Sequence, residues 1–399
     1  MAVHLRQGPH NTISRTVSAP SERIEEFLAS RNLETPYVVV DLDIVAERFR
    51  QLAEALPMAD IFYAIKANPA PPILELLVEL GSSFDVASPA EVDMCLAAGA
   101  DPSRISYGNT VKKRRDIEYA YEHGVRLFAF DCDAELDKLA ECAPGATLFC
   151  RVTTDGGGAD WPLSRKFGCG PEMAMLLLTR AADKGHPVGV SFHVGSQQRL
   201  PAAWLPALEQ VGQVFDHLRS QGIAPELVNL GGGFPGHYAN DVPALDAYAR
   251  VISAALRRCV GDDLPRVIVE PGRYMVADAG VLQSEVVLVS RRSLEDDCRW
   301  VYLDCGVYTG LTETIGEAIK FRIRTPHDGG PTGRVCLAGP TCDSADILYE
   351  HSDYQLPLAL EAGDRVEVLS TGAYTTTYST VGFNGFPALR DYYLPATAR

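Results

Sequence analysis

The chain has 399 residues, of which 46% are hydrophobic and 22% are charged. This balance is typical of a globular enzyme rather than a disordered chain, and the length is sufficient for two sizeable cores. The formal net charge of −16 argues against nucleic acid as a partner, because phosphate contacts require clustered lysine and arginine side chains.

No apolar run approaches the length of a membrane span, and the N-terminus lacks the apolar core of a signal peptide. We therefore expect neither a membrane partner nor secretion. The ten cysteines and nine histidines form no CxxC pair, no HExxH pair and no Cys/His metal spacing. This usage predicts mostly reduced thiols in a cytoplasmic protein, with no metal site.

From residue 60 onward, short β-branched or aromatic runs alternate with amphipathic helical patterns. The runs are, in chain order, IFYAIKA, SSFDVAS, RISYGN, LFAFDC, TLFCRVT, VGVSFHVG, LVNLGGG and RVIVEPG. Eight strands alternating with helices over roughly 220 residues predict an α/β fold, a parallel (β/α)8 TIM barrel. We assign residues 42–280 to this barrel.

Beyond residue 280 the pattern changes. The runs GVLQSEVVLVS, WVYLDCG, RVCLAGP and DRVEVLS are joined by turns and irregular segments rather than by regular helices. They predict a second, mainly β domain formed by residues 281–399 together with residues 1–41, whose strand YVVVDLD lies just upstream of the barrel.

Nearly every barrel run ends in a polar residue or glycine, and the C-terminal strand ends of a TIM barrel all meet on the face that carries the active site. These residues are Lys66, Asp85, Asn109, Asp131, Arg151, His193, Gly231, Gly232, Gly233, and Glu270 with Arg273. Each has an ordinary explanation as a cap, a turn or a surface charge. Together they predict a site at the barrel mouth.

Three of these residues have a chemical alternative to a structural role. Lys66 is either a solvated strand end or a desolvated amine, neutral often enough to hold a carbonyl cofactor as a Schiff base. Glu270 is either a hydrogen-bond acceptor or the carboxylate that keeps a pyridine nitrogen protonated. His193 is either a core histidine or a ring that stacks on a cofactor.

The glycine loop GGGFPG, Gly231 to Gly236, formally matches the dinucleotide-binding pattern GxGxxG. A dinucleotide site requires a helix to open at the glycines, yet Pro235 and the following residues delay the next helix to about Pro243. A loop that binds a lone phosphate through its backbone N–H groups fits better, and Arg273 could clamp the same phosphate.

These motifs resemble those of the fold-type III pyridoxal-phosphate decarboxylases, which combine an alanine-racemase-like barrel with a β domain. In particular they resemble the ornithine/lysine decarboxylases of the eukaryotic-like group, in the form of its bacterial branch. The resemblance spans roughly residues 36–394 and rests on motifs that occur in the same order. They are YAIKAN, FDVAS, FHVGSQ, the loop Gly231–Gly233, EPGR, GPTCDSADIL and GAYTTTYSTVGFNGF.

The resemblance implies pyridoxal 5'-phosphate as the cofactor and a role for each matching residue. Lys66 would hold the cofactor, Glu270 would pair with its pyridine nitrogen, and His193 would stack on its ring. The phosphate would be held by Ser196, Gly233, Arg273 and Tyr374, and the rest of the cofactor site would include Asp85, Arg151, Gly231, Gly232 and Gly272.

The resemblance also implies a homodimer with shared active sites. Cys342 of one subunit would return a proton to the substrate α-carbon in the other, Asp343 would bind the distal ammonium, and Tyr308 and Glu317 would complete the substrate site. Glu313 is the competing position for that second carboxylate. A cross-subunit pair between Lys166 and Asp346 is also implied.

The implied activity is decarboxylation of a basic amino acid in polyamine biosynthesis, with L-ornithine to putrescine preferred over L-lysine to cadaverine. Diaminopimelate decarboxylase or another diamino-acid decarboxylase of the same fold is an alternative, although the motif of diaminopimelate decarboxylase usually reads Cys-Glu-Ser where this chain has Cys342-Asp343. Racemisation as a side reaction stays open. An alternative of another class is a non-catalytic regulatory homologue, which should have lost Lys66 or Cys342.

Overall fold

The computed structural model describes residues 20–163 and 165–397. The strands are β1 Tyr37–Asp41, β2 Ala59–Ala64, β3 Ser83–Val86, β4 Ile105–Tyr107, β5 Leu127–Phe130, β6 Thr147–Arg151, β7 Ala159–Trp161, β8 Val188–Ser191, β9 Ser196–Gln198, β10 Leu227–Asn229, β11 Arg266–Val269, β12 Gly280–Ser290, β13 Arg299–Leu303, β14 Ile323–Arg324, β15 Thr332–Ala338, β16 Ile347–Tyr349, β17 Gln355–Pro357, β18 Arg365–Leu369 and β19 Arg390–Leu394. The helices are α1 Glu22–Ser30, α2 Leu42–Ala55, α3 Pro71–Glu79, α4 Pro89–Ala97, α5 Arg114–Glu122, α6 Asp133–Cys142, α7 Pro171–Asp183, α8 Trp204–Ser220, α9 Leu245–Cys259 and α10 Arg273–Val276.

Eight parallel strands close into a barrel in the order β10-β11-β2-β3-β4-β5-β6-β8. Alternate residues of these strands face opposite sides, so the buried runs divide between two packing layers. Phe62, Phe149 and Ile268 belong to a small cluster inside the barrel, whereas Tyr63 and Phe84 pack in the large outer core beneath the helices. The predicted TIM barrel is confirmed.

The second sheet is mainly antiparallel and contains the longest strand in the described part of the chain, β12. β12 pairs with β13, β18 and the N-terminal strand β1, and β1 also pairs in parallel with β19. One continuous hydrophobic cluster contains residues of both sheets, including Val40 of β1, Leu282 of β12 and Val368 of β18. The β sheet is therefore packed against the barrel rather than tethered to it.

The structure differs in detail from the strand ends read off the sequence. Lys66 does not end a strand but occupies a 3-10 turn, Ile65–Ala67, directly after β2. His193 lies in a loop after β8, and the following residues form β9, which pairs with β7 in a separate two-stranded sheet. Pro69 lies just beyond the turn that carries Lys66, and Gly195 lies just beyond His193, so both side chains stand on connecting segments after their strands.

Candidate active site

Lys66 lies in a turn that both domains hold in place. From the β domain, the backbone N–H of Tyr374 donates to the carbonyl of Ala67 at 2.8 Å, and the Thr377 hydroxyl donates to the carbonyl of Lys66 at 3.1 Å. On the barrel side, the N–H of Ala64 donates to the carbonyl of Pro271 at 3.0 Å, beside Glu270. The turn thus presents the exposed Lys66 side chain at the mouth of the barrel.

The Lys66 amine is surrounded by charged groups from other strand ends. Burial by itself lowers the pKa of Lys66, but Asp85, Tyr374 and Glu270 together outweigh it, and the pKa is raised above its usual value although Arg151 opposes the rise. Of the two alternatives that the sequence left open, the raised pKa favours a charged amine before a cofactor binds.

A second lysine provides a useful contrast. Burial lowers the pKa of Lys112 to about 8, which by itself would make it the better nucleophile. However, its ammonium is fully enclosed and already bonded to the carbonyls of Asn109 and Ala129 and, at 3.0 Å, to Glu135. Lys112 has no space for a ligand, whereas Lys66 does.

Asp85 is buried and one of its oxygens, Oδ1, has no hydrogen-bond partner within the described residues. Burial and the nearby Glu270 raise the pKa of Asp85 well above its usual range, and Lys66 only partly offsets them. An unpaired buried carboxyl oxygen is costly unless a ligand or water completes it. The unpaired Asp85 Oδ1 therefore favours a polar ligand beside Lys66.

Glu270 is oriented by a residue that the sequence analysis did not identify. Asn229, at the end of β10, donates from Nδ2 to Glu270 Oε1 and accepts the Gly231 N–H on Oδ1 at 2.9 Å. Burial raises the pKa of Glu270, while the Asn229 bond and the charges of Lys66 and Arg151 act in the opposite direction. Asn229 thus links the carboxylate to the glycine loop.

His193 is a neutral ring. Its Nδ1 accepts the Gly195 N–H at 3.0 Å, which places the ring proton on Nε2. Burial, together with the positive charges of Arg151 and Lys66, lowers the pKa of His193 well below its usual value. A neutral, desolvated imidazole is suited to packing flat against an aromatic ligand.

The glycine loop passes too close to its neighbours for any other residue. A Cβ at Gly231 would lie 2.2 Å from the Phe192 carbonyl oxygen, and one at Gly232 would lie 2.4 Å from the Glu270 carbonyl oxygen. Gly231 and Gly233 also have positive φ values of 64° and 102°. The loop therefore packs as bare backbone, with Gly233 against Gly195 next to Ser196, an arrangement that suits a phosphate held by N–H groups.

Arg273 completes this region. It is buried, donates to the Ser196 hydroxyl and lies 4.9 Å from the Tyr374 ring, with Gly272 also against Tyr374. On its other side it is paired with Glu313. The structure therefore brings together all the residues that the resemblance assigns to a phosphate.

Two residues predicted at the mouth make local bonds instead. Asn109 Oδ1 accepts the Val111 N–H, and Asp131 Oδ2 accepts the Gly168 N–H. They shape the loops around the site.

The predicted substrate residues Tyr308, Cys342 and Asp343 lie together on the β domain. Partial burial raises the pKa of Tyr308, and the charge of Asp343 and its hydrogen bond with the Tyr308 hydroxyl raise it further. The Cys342 N–H donates to Asn384 Oδ1 at 3.0 Å. Cys342 is exposed. Among the described residues, no hydrogen bond or ion pair joins Cys342 or Asp343 to Lys66 of the same chain.

Glu317 has its carboxylate tied to a neighbouring loop. It accepts the N–H groups of Glu350 and His351, at 2.8 and 2.6 Å, and the Ser352 hydroxyl. Hydrogen bonds from this loop lower its pKa although burial opposes them. Its predicted contact with a substrate ammonium would require these bonds to be exchanged, so that role stays a prediction.

The carboxylate of Asp346 is likewise engaged within its own chain. It is buried, and it accepts the Val307 N–H at 2.8 Å and the Thr341 N–H and hydroxyl at 3.1 and 2.7 Å. Lys166 contacts the Phe167 ring at 4.9 Å. Their pairing across subunits also stays a prediction.

Sequence reasoning missed Asn229 and did not give Glu313 its partner. Asn229 carried a usable signal, because it is a polar residue in an apolar run, two positions before Gly231. Glu313 carried none, since its contact with Arg273 joins two domains and depends on how they pack.

The site residues fit pyridoxal phosphate on three structural observations: an accessible amine, an unpaired buried carboxyl oxygen and a glycine cradle beside an arginine. In the described parts of the chain, no cluster of three or more His, Cys, Asp or Glu side chains could hold a metal ion. The same residues include no helix long and apolar enough to cross a membrane.

Comparison with known proteins agrees with this geometry. Residues 42–277 match the family model described as pyridoxal-dependent decarboxylase, pyridoxal binding domain. The chain is 36% identical over 369 residues to a lysine/ornithine decarboxylase of Selenomonas ruminantium, which covers 92% of this chain and 91% of that protein.

Solved structures are similar over the same extent. A lysine/ornithine decarboxylase of Vibrio vulnificus complexed with cadaverine superposes with a TM-score of 0.84 at 30% identity, covering 95% of this chain and 100% of that one. The structure of SrLDC in complex with PLP and cadaverine gives a TM-score of 0.83 at 34% identity, covering 94% of each chain.

Proposed function

Because this chain belongs to the pyridoxal-dependent decarboxylases of fold-type III, we propose that it decarboxylates L-ornithine to putrescine or L-lysine to cadaverine. The single observation that carries the proposal is the arrangement of Lys66 and Glu270, which follow the neighbouring parallel strands β2 and β11 at the same end of the barrel. Two similar proteins are lysine/ornithine decarboxylases by name, from Selenomonas ruminantium and Vibrio vulnificus.

The bound pyridoxal phosphate supplies an electron sink for the pair of electrons left when the carboxylate departs. The chain's own residues prepare this step. Glu270, held by Asn229, provides a carboxylate that keeps a proton at the ring nitrogen. His193, neutral and enclosed, covers the ring face without adding charge. Asp85 and Glu270 hold a proton at Lys66 Nζ until the amine is needed.

The substrate end is assigned to the β domain. Asp343 provides a carboxylate for the distal ammonium of a diamino acid, beside the Tyr308 hydroxyl. Cys342 delivers a proton to the α-carbon after CO2 leaves. The Asp343 carboxylate suits a substrate that ends in an ammonium group. A site for diaminopimelate would instead require basic residues for the distal carboxylate of that substrate.

We propose that the protein acts as a homodimer with the β-domain half-site of one subunit closing the barrel mouth of the other. In the described part of the chain, neither Cys342 nor Asp343 is hydrogen-bonded or ion-paired to Lys66. In addition, four large apolar side chains are exposed on the segments that flank Tyr308 and Asn384, namely Ile315, Tyr378, Val381 and Phe383. Large exposed apolar side chains in one region mark an interface.

We place the protein in the cytoplasm, in polyamine biosynthesis. All ten cysteines, which lie among the described residues, are unbridged. This state is normal in a reducing compartment.

The main test is CO2 release from ornithine, lysine, arginine and meso-diaminopimelate under identical conditions. We expect turnover of ornithine or lysine at least about tenfold above the other two, because the guanidinium of arginine is larger than an ammonium ion and the second carboxylate of diaminopimelate would face the carboxylate of Asp343. Preference for meso-diaminopimelate, or no CO2 from any of the four with cofactor bound, would overturn the proposal.

Covalent attachment is tested separately. Borohydride reduction of the holoenzyme, followed by peptide mapping, should place the pyridoxyl group on Lys66. Lys112, with its lowered pKa, is the internal control and should be unmodified.

The shared site is tested by mixing two inactive variants, Lys66→Ala and Cys342→Ala. The equimolar mixture should regain about a quarter of wild-type activity. Random exchange makes half of the dimers mixed, and each mixed dimer has one intact site of its two. If subunit exchange is verified and no activity returns, the shared-site proposal is wrong.

A further inference from the structure

Glu313 lies against Arg273 in a way that neither a substrate role nor a surface role explains. The two residues come from different domains, and their side chains are only 8% and 2% exposed. The pair has parallel two-point geometry: Arg273 Nη1 donates to Glu313 Oε2 at 2.7 Å and Nη2 donates to Oε1 at 2.5 Å. Such a fork fixes both the position and the rotation of the guanidinium plane.

The remaining donors of Arg273 show what that rotation achieves. Nη1 also donates to the Tyr238 hydroxyl at 2.8 Å. Nε and the second hydrogen of Nη2 point at Ser196 Oγ, at 3.3 and 3.1 Å. Thus all five donors have a partner, and the two longest bonds lie on the edge that faces Ser196.

Ser196, which this edge of Arg273 contacts, begins the strand β9 that lies beside the glycine loop. The carbonyl of Gly233 accepts the Gln198 N–H at 2.9 Å, which places the loop beside the strand that starts at Ser196. One hydroxyl oxygen shared by Nε and Nη2 is a weak partner for two donors. A phosphate oxygen would take both in the same two-point geometry that Glu313 uses on the other edge.

We propose that Glu313 is a positioning residue that holds Arg273 with its Nε/Nη2 edge turned toward the cofactor phosphate. This inference rests on the proposed binding of pyridoxal phosphate. It removes Glu313 as the second carboxylate for the substrate ammonium, since both of its oxygens are already bonded to Arg273. Fixing the guanidinium in advance avoids the loss of side-chain freedom when the phosphate binds.

The test compares two ligands that differ only in the phosphate. Apoprotein is titrated with pyridoxal phosphate and with pyridoxal. The Kd for pyridoxal divided by the Kd for pyridoxal phosphate measures what the phosphate contributes to binding. In Glu313→Gln this ratio should fall about tenfold or more. The amide keeps one acceptor oxygen for Arg273, but its NH2 group would face an N–H donor of Arg273 without forming a hydrogen bond. Glu313→Asp, which keeps the charge but shortens the reach, should fall by less.

A residue that acts through Arg273 should have no effect once the guanidinium is gone. In an Arg273→Lys background, we therefore expect Glu313→Gln to change the ratio less than twofold. Glu135→Gln is the matched control, because Glu135 is also buried and ion-paired, with Lys112 at 3.0 Å. The substitution Glu135→Gln should leave the ratio of the two Kd values unchanged.

An unchanged or larger ratio in folded Glu313→Gln or Glu313→Asp would overturn the inference. So would an equal loss in the Arg273→Lys background, or a KM increase for the diamino acid with the ratio unchanged. Failure of the proposed function is a separate result: wild-type apoprotein would then bind pyridoxal phosphate no better than pyridoxal.

Discussion

Replacing Asn229 tests whether Glu270 must be ionised. Asn229 is fully buried, and its amide both donates to Glu270 Oε1 and accepts the Gly231 N–H. In Asn229→Ala both bonds are lost. The bond to Glu270 favours the charged carboxylate, so its loss raises the pKa of Glu270 beyond the rise that burial already causes.

The size of the effect follows from the type of bond. A hydrogen bond to a charged group contributes about 1.5–3 kcal/mol, which corresponds to about 1–2 pKa units. At a given acidic pH, a smaller fraction of Glu270 is then ionised. We expect the acid limb of the kcat/KM profile to move to higher pH by about 1–2 units, and the protein to lose about 1–3 kcal/mol of stability because the Gly231 N–H is left unpaired.

The assay is the pH dependence of CO2 release, with stability followed by urea unfolding. Gln197→Ala is the matched control, since its buried amide also makes two bonds, to the N–H and carbonyl of Gly236 at 2.9 and 2.8 Å, and touches no carboxylate. It should lose stability without moving the acid limb. Superimposable acid limbs for Asn229→Ala and wild type would refute the assigned role of Glu270.

Gly232→Ala should weaken binding of pyridoxal phosphate by at least about tenfold, measured by titration, because its Cβ would meet the Glu270 carbonyl at 2.4 Å. Gly170→Ala, whose Cβ would lie 3.6 Å from Glu172, should bind normally. Burial raises the pKa of Asp278, but hydrogen bonds and charge from His237 and Arg48 prevail and lower it to about 2. A lowered pKa stabilises the fold above the unfolded value near 4, so Asp278→Asn should cost about 1–2 kcal/mol at pH 7 in urea unfolding, and the difference should shrink as pH falls from about 4 toward 2. Glu317→Gln should lose about 1–3 kcal/mol of stability through its bonds to residues 350–352 and, if its predicted substrate role holds, raise KM for the diamino acid about tenfold; a KM change below about twofold would contradict that role.

The barrel could be predicted because its signals are local. Each strand is a short apolar run, each helix has its own periodicity, and parallel strands joined by helices have few ways to close. The same topology forces the strand ends onto one face. That is why Lys66 and Glu270, separated by most of the barrel sequence, could be expected to meet.

The ionisation and bonding of the site could not be predicted in this way. The sequence left Lys66 open between a solvated and a desolvated amine, whereas Asp85, Tyr374 and Glu270 together outweigh burial and raise its pKa. The carboxylates of Glu313 and Glu317 both lie in the short turn Thr312–Glu317, but one turns to Arg273 and the other to residues 350–352. A kink at Gly316, with φ of 64°, separates their directions.

By itself, the sequence determined the barrel, the additional β sheet and the set of polar residues collected at the barrel mouth, because these depend on periodicity and chain direction. Only the tertiary structure decided which carboxylate pairs with which cation, and therefore where each proton resides. Electrostatic interactions depend on distances through space and on access to water, and neither quantity is written in the spacing of residues along the chain.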